Sequence, residues 1–217
     1  MRTIVYVDGF NLYYGAVKGT PYKWLDIPKM CSLLLPKNEI TQIKYFTARV
    51  SGRPDDPGQP TRQQIFLRAL RTNPAVSIIY GSFLTNESFM PLANSPVWKR
   101  RYAKVIKTEE KGSDVNIATH LLCDGFRHQF ECAVLVTNDS DLREPVRVIR
   151  RELGLRVGVL NPHPHPSREL IEHATFVKTI RSGVLAVSQF PDEMEDAQGR
   201  FSKPVEWQVP SSPHPGT

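Results

Sequence analysis

Four aspartates stand where apolar runs of this chain give way to turns and helices: Asp8, Asp114, Asp139 and Asp141. Asp8 ends the run Thr3–Val7 and is followed by Gly9 and Asn11. Asp139 and Asp141 follow the run Cys132–Val136, within Thr137-Asn138-Asp139-Ser140-Asp141. Asp114 sits in the first turn of a helix opening at Lys111-Gly112-Ser113. Ligands of open α/β sheets bind beyond the carboxyl ends of the strands, so the spacing predicts one cleft shared by all four acids. Four carboxylates in one cleft repel; at about 4 Å and an effective dielectric near 20 each pair costs on the order of 4 kcal/mol. Such a cluster persists when protons or a cation offset it, and an all-oxygen donor set favours Mg²⁺ or Mn²⁺ over zinc. A carboxylate-held magnesium that keeps water performs phosphoryl chemistry, activating a water for in-line attack.

Each acid also has a plainer reading. Asp8 or Asn11 caps the helix that Leu12-Tyr13-Tyr14 opens. Asp141 is an N-cap candidate, with Glu144 completing a capping box. Asp139 suits a turn, and Asp114 complements a helix dipole. Other chemistries find less support. His163-Pro164-His165 has the wrong spacing for one helix face and no cysteine nearby, which argues against zinc. There is no Gly-x-Gly-x-x-Gly or Walker-type loop and no Gly-x-Ser-x-Gly elbow.

The elements that must position these residues alternate in type. Strands are predicted at Thr3–Val7, Gln42–Ala48, Val76–Leu84, Cys132–Val136 and Leu155–Leu160, with a last extended piece at Phe176–Ile180. Helices are predicted at Asp26–Leu35, Thr61–Arg71, from Lys111 to about Phe126 with Ser113 as N-cap, at Leu142–Leu153 and at Arg168–Ala174. Ser51–Pro60 and Asn86–Val97 read as loops. The alternation predicts an α/β fold with a mostly parallel sheet, joined by right-handed crossovers that place helices on both faces. Residues 1–180 form the expected domain, and 181–217 an extension largely disordered from about 189, where Pro, Ser, Asp, Glu and Gly dominate.

With 217 residues the chain suits one domain plus an appendage, and its net charge of +6 favours an anionic partner such as nucleic acid. Between Trp98 and Lys107 basic residues alternate with aromatics, and Lys99, Arg100, Arg101, Lys104, Lys107 and Lys111 are the candidate phosphate contacts. The same run also reads as a solvated strand face. Cys31, Cys123 and Cys132 form no pairing framework and predict buried free thiols in a reducing, cytoplasmic setting. No apolar stretch is long enough for a bilayer span. The apolar third strand and Trp98–Tyr102 suit either a homodimer contact or internal packing.

The blocks Val5-Tyr6-Val7-Asp8-Gly9-Phe10-Asn11, Lys111-Gly112-Ser113-Asp114-Val115-Asn116-Ile117-Ala118 and Val136-Thr137-Asn138-Asp139-Ser140-Asp141-Leu142 resemble the signature blocks of the NYN domain, most closely its bacterial LabA-like branch within the PIN-like nuclease superfamily. The resemblance covers roughly Met1 to Ile180. It implies a Rossmann-like (PIN-like) fold, a divalent-metal site and cleavage of RNA. Asp8, Asp114, Asp139 and Asp141 would then be the acidic ligands, with Asn11 orienting Asp8 or a water, and Asn138 or Ser140 positioning a phosphate or water. One departure stands out: many members carry an acid where this chain has His120. Helical spacing places His120 near Asp124 rather than Asp114, which leaves ligand, proton carrier and structural residue as its three readings.

A metal-dependent ribonuclease is therefore the leading expectation, with an RNA-binding or regulatory module of weak or no catalytic activity as the alternative. A haloacid-dehalogenase-type phosphatase is disfavoured, because Phe10 stands where that mechanism needs a second aspartate.

Overall fold

The computed structural model describes residues 1–94 and 101–208. Strand β1 (Arg2–Asp8) is buried at every position after Arg2. It runs into α1 (Gly9–Leu12), which continues as a π-type turn over Tyr13–Val17. Helix α2 (Ile27–Leu34) starts on Asp26, whose carboxylate accepts the Lys29 N–H, with Pro28 in the first turn where its missing N–H costs nothing. β2 (Glu39–Thr47), α3 (Gln59–Arg71) and β3 (Val76–Tyr80) follow. Next come β4 (Ser82–Pro91), β5 (Tyr102–Lys111) and α4 (Ser113–Phe126). β6 (Cys132–Val136), α5 (Arg143–Arg151), β7 (Arg156–Asn161), α6 (Arg168–His173), β8 (Phe176–Thr179) and α7 (Ser182–Val187) complete the alternation. A hairpin of β9 (Glu193–Asp196) and β10 (Gly199–Ser202) ends it.

Six strands pair in the order β3-β2-β1-β6-β7-β8, every pair parallel. The chain builds outward from β1 to β3, then returns to the other side of β1 with β6. The strand order thus reverses between β1 and β6, which is where doubly wound sheets leave a crevice for ligands. Side chains alternate across β1: Val5 and Val7 face α2, α3 and α7 with Trp24, Met30 and Leu70, whereas Ile4 and Tyr6 face α4 and α5 with Ile117, Leu121 and Ile149. Helices therefore cover both faces, as the alternation predicts.

Four expectations change. The third predicted strand breaks at Gly81, so Val76–Tyr80 stays in the sheet and Ser82–Pro91 leaves it. Much of the predicted loop after Asn86 is strand, because β4 and β5 pair in register from Ser82↔Lys111 to Pro91↔Tyr102 as a separate two-stranded arm. β4 shows no buried apolar run, being exposed at eight of ten positions, so its backbone pairing has no periodic signature. Cys123 is exposed, while Cys31 and Cys132 are buried and free as expected. The chain beyond 189 is ordered through residue 208. Phe190 is buried, and Trp24 Nε1 donates to the Pro191 carbonyl at 2.8 Å. Arg68 grips Asp196 with two hydrogen bonds of 2.6 and 2.8 Å and lies 4.3 Å over the Phe201 ring. Trp207 packs on Trp24 and Phe66. These anchors lie far away in sequence, so composition alone hides them. The apolar side chains of β3 pack internally, Val76 and Ile78 on one layer and Ile79 on the other. No helix of the described residues is long and apolar enough to cross a membrane.

Candidate functional site

Asp8 lies at the carboxyl end of β1, buried, with one neighbour strand on each side. Its Oδ1 accepts the Asn11 N–H at 2.9 Å, so it caps α1 as the plainer reading required. Its Oδ2 accepts from the Thr137 hydroxyl at 3.3 Å. These bonds do not consume the carboxylate. Burial raises its pKa to about 6, helped by the charges of Asp114 and Asp139 and opposed by the Asn11 and Thr137 hydrogen bonds. Asp114 is raised as well, by burial first and then by Asp139, Glu110 and Asp141. The acids thus share one electrostatic neighbourhood. Among the described residues none of the four takes part in an ion pair.

Asp8, Asn11, Asp114 and Asp139 line one cavity of about 1230 Å³ at this edge. Asp139 reaches it from the turn after β6, where its Oδ1 accepts the Asp141 N–H at 2.9 Å. Asp141 is exposed beside the turn and does not line the cavity. It is not the N-cap of α5, and Glu144 is instead paired with Arg147. Asn11 acts as a strut: its Oδ1 accepts the Asn138 N–H at 3.0 Å and lies 3.1 Å from His163 Nε2. Asn138 turns its amide toward the chain after β7, donating to the His165 carbonyl at 3.0 Å and accepting the Ser167 N–H at 2.6 Å. It positions the loop, and its side chain is spent on that task. Ser140, half-buried, makes no side-chain hydrogen bond among the described residues.

Two expectations are corrected here, and the basic run gains acidic partners. His120 is not in the cleft. It lies on the opposite face of the sheet, edge-on to Phe46 and 3.4 Å from Lys44 Nζ. Ser113 is not the N-cap of α4; Gly112 is, at φ +97, a left-handed conformation that favours glycine. The Ser113 N–H and hydroxyl both donate to Glu110, at 3.2 and 2.8 Å. Within the basic run, Lys104 pairs with Glu87 at 2.5 Å, and Lys107 and Lys111 both pair with Glu109, as on a solvated strand face. Arg101 is exposed, and Lys99 and Arg100 lie outside the described residues.

The cavity continues away from the acids along residues the sequence did not single out. Glu110, Phe83, Thr85 and Thr108 from the arm form one wall, with Phe83 edge-on to Phe10 at 5.6 Å. Tyr13, Tyr45, Phe66, Arg53, Lys23 and Trp207 line the far part. The joint between the parts is Gly9. A Cβ there would stand 2.6 Å from the Tyr45 hydroxyl oxygen and 2.7 Å from the Phe46 carbonyl oxygen. The second of these is backbone of the neighbouring strand and cannot yield cheaply. Gly9→Ala is accordingly expected to cost about 1–3 kcal/mol, read as a lowered urea midpoint with an unchanged slope.

A divalent ion fits this donor set in one particular way. Among the described residues no three His, Cys, Asp or Glu side chains form a cage that could hold a metal. Magnesium is ordinarily held by one or two carboxylates, with waters and substrate phosphates completing the shell. Oxygen-only donors that lack cationic partners match that arrangement.

The NYN domain family model matches residues 2–181. The chain belongs to the NYN domain family. NYN domains are part of the PIN-like nuclease superfamily, as the resemblance read from the sequence implied. The chain is 32% identical over 237 aligned positions to 6-hydroxy-3-succinoylpyridine 3-monooxygenase HspA of Pseudomonas putida, covering 95% of this chain and 75% of that one. A crystal structure of a protein of unknown function from Vibrio parahaemolyticus superposes with a TM-score of 0.53 at 18% identity, covering 83% of this chain and 93% of the other. That likeness is one of fold.

Proposed function

We infer that this NYN protein hydrolyses phosphodiester bonds of RNA with Mg²⁺ or Mn²⁺ at the acidic end of the cleft. The observation that carries this reading is Asp8, a buried carboxylate that shares the cleft with Asp114 and Asp139 and has no cationic side chain paired with it among the described residues. One or two of Asp8, Asp114 and Asp139 would hold the ion, with water and a substrate phosphate completing its shell, and Asp141 is close enough to strengthen the local field. The ion supplies charge compensation and a more acidic water. The chain itself supplies the rest. Asn11 and Thr137 fix the Asp8 carboxylate, and the Asn11–Asn138–His163 strut holds the turns after β1, β6 and β7 in one register. Glu110, lining the cavity and anchored to Ser113, adds negative charge beside Asp114. We place the protein in the cytoplasm, a reducing setting that suits three free thiols.

Manganese titration by calorimetry, followed by cleavage of a labelled single-stranded RNA, tests the reading. Saturable binding and Mn²⁺-dependent cleavage are expected, both lost in Asp8→Asn/Asp139→Asn. Salt-sensitive RNA binding that survives chelation, without turnover, would instead establish the RNA-binding module.

A second reading rests on the aromatic far part of the cleft and on the relative named as a succinoylpyridine monooxygenase. On that reading the cleft holds a small heteroaromatic acid for oxygenation. Oxygen uptake that depends on a pyridine substrate and an added reductant, with no RNA cleavage, would select it.

A further inference from the structure

The far half of the cleft has a composition that the acidic chemistry does not use. Tyr45 is only 7% exposed, and it lines the cavity. Among the described residues its hydroxyl has no hydrogen-bond partner, and it opens on the cavity rather than being sealed in the core. Burial, and then the Asp8 charge, push its pKa upward, so it stands as a neutral donor. From Tyr45 an aromatic chain leads away from the acids: Phe66 lies edge-on to it at 6.2 Å, and Trp207 edge-on to Phe66 at 6.3 Å. Tyr13 lines the same space, where burial and then Tyr14 and the Asp56 charge raise its pKa against the opposing charges of Arg62 and Arg53. Lys23 and Arg53, two further lining residues, have no ion-pair partner among the described residues, whereas Arg62 is held by Asp56 and Glu206. The wall at Trp207 comes from the ordered C-terminal segment, beyond the 2–181 that the family model matches. Trp207 thus lies outside the matched domain, whereas Tyr13, Tyr45 and Phe66 lie within it.

We propose that the half of the cleft walled by Tyr13, Tyr45, Phe66 and Trp207 is a binding site for a planar heteroaromatic ring that carries an anionic group. The aromatic walls take the ring faces and edges. The Tyr45 hydroxyl, open on the cavity and without a protein partner among the described residues, donates to a ring nitrogen or oxygen substituent. Arg53 and Lys23 take the anionic group, a phosphate or a carboxylate. The cavity of about 1230 Å³ leaves room for this ring and for a group at the acids together. The site does not depend on which reaction the acidic end performs. A nucleobase of a nucleotide and a free hydroxypyridine acid both have the required chemistry.

Calorimetry on the full chain with chelator present tests the proposal. The probes are uridine monophosphate, a hydroxypyridine carboxylate, and inorganic phosphate with succinate as ring-free controls. At least one ring probe is expected to bind saturably and the controls not to bind. Trp207→Leu is expected to weaken that binding about tenfold or more, and Tyr45→Phe about fivefold, the loss of one hydrogen bond. Circular dichroism verifies that both variants stay folded, and Tyr45→Phe keeps the packing. Binding of the nucleotide alone identifies the ring as a nucleobase, and binding of the pyridine acid alone identifies a free ring; either supports the site. No saturable binding of either ring probe at millimolar concentration overturns it, as does binding that both variants leave unchanged. Neither result bears on metal-dependent RNA cleavage, which is read without these probes.

Discussion

Asp8→Asn is expected to stabilise the fold while abolishing metal-dependent cleavage. In the fold Asp8 holds its proton to about 6, against an ordinary 3.8. Between those values the folded state binds more protons than the unfolded chain, so stability falls as pH rises through that window. Above about 6 the buried charge costs on the order of 3 kcal/mol. The asparagine has no charge to bury, keeps its oxygen for the Asn11 N–H, and places its amide NH2 where it can donate to the Thr137 hydroxyl oxygen. Urea unfolding with chelator present is therefore expected to show the variant more stable than the parent by about 1–3 kcal/mol at pH 7.5. The two are expected to converge as the pH falls toward 3.8, the ordinary pKa of the group. Mn²⁺ at about 100 times its dissociation constant would add roughly 2.7 kcal/mol to the parent and little to the variant. Loss of an outer partner of a metal ligand alone costs about 10–100-fold, so loss of a carboxylate that touches the ion is expected to cut cleavage by about 100-fold or more. A variant less stable than the parent at pH 7.5 would mean that Asp8 is a structural cap and nothing more.

The parts of this site legible in the sequence are those set by local pattern. Apolar runs that stop at an acid mark strand ends, and so Asp8 and Asp139 could be placed at one sheet edge before any coordinates. Asp114 is placed by its position in the first turn of the helix between them. The reversal of strand order between β1 and β6, which makes that edge a crevice, depends on pairing and leaves no local mark. Tyr45 was hidden for a related reason. In Gln42–Ala48 it reads as one more β-forming aromatic, and only the neighbouring strand and Gly9 show that its hydroxyl opens on the cleft. Glu110 lies between Lys107 and Lys111, and nothing in the local pattern marks it as a cleft residue. Trp207 lay in a stretch whose composition resembles disorder, and its order comes from Arg68, Trp24 and Phe66, more than a hundred residues away. His120 shows the converse. Its place beside Asp124 was legible from helical spacing, but its distance from the cleft required knowing which face of the sheet α4 covers.

That opposite face holds the largest stability effect expected of a single substitution. Lys44 and Asp124, each side chain 10% exposed, form an ion pair of 2.5 Å behind the sheet. The Tyr6 hydroxyl donates to the same Asp124 oxygen at 2.6 Å, and burial followed by Asp124 pushes the Tyr6 pKa upward. Lys44→Met removes the only cation that pairs with Asp124 among the described residues, leaving a buried carboxylate with a phenol for company. Breaking a buried pair from one side costs about 3–5 kcal/mol, and the variant is expected to lose that much in urea unfolding at neutral pH. Removing the partner as well reverses the logic, since an apolar replacement of the whole pair is often neutral. Lys44→Met/Asp124→Leu still strands the Tyr6 hydroxyl, at about 1–3 kcal/mol, so Tyr6→Phe is the third change needed to approach the parent. Stability restored stepwise along that series would show a buried network whose members need each other and not the cleft. RNA cleavage by His120→Gln at parental rate would complete the case, because His120 touches this network at Lys44 and no acid of the cleft. If Lys44→Met instead costs under about 1 kcal/mol, the value of an exposed pair, water reaches Asp124 and the network contributes little to holding α4 on the sheet.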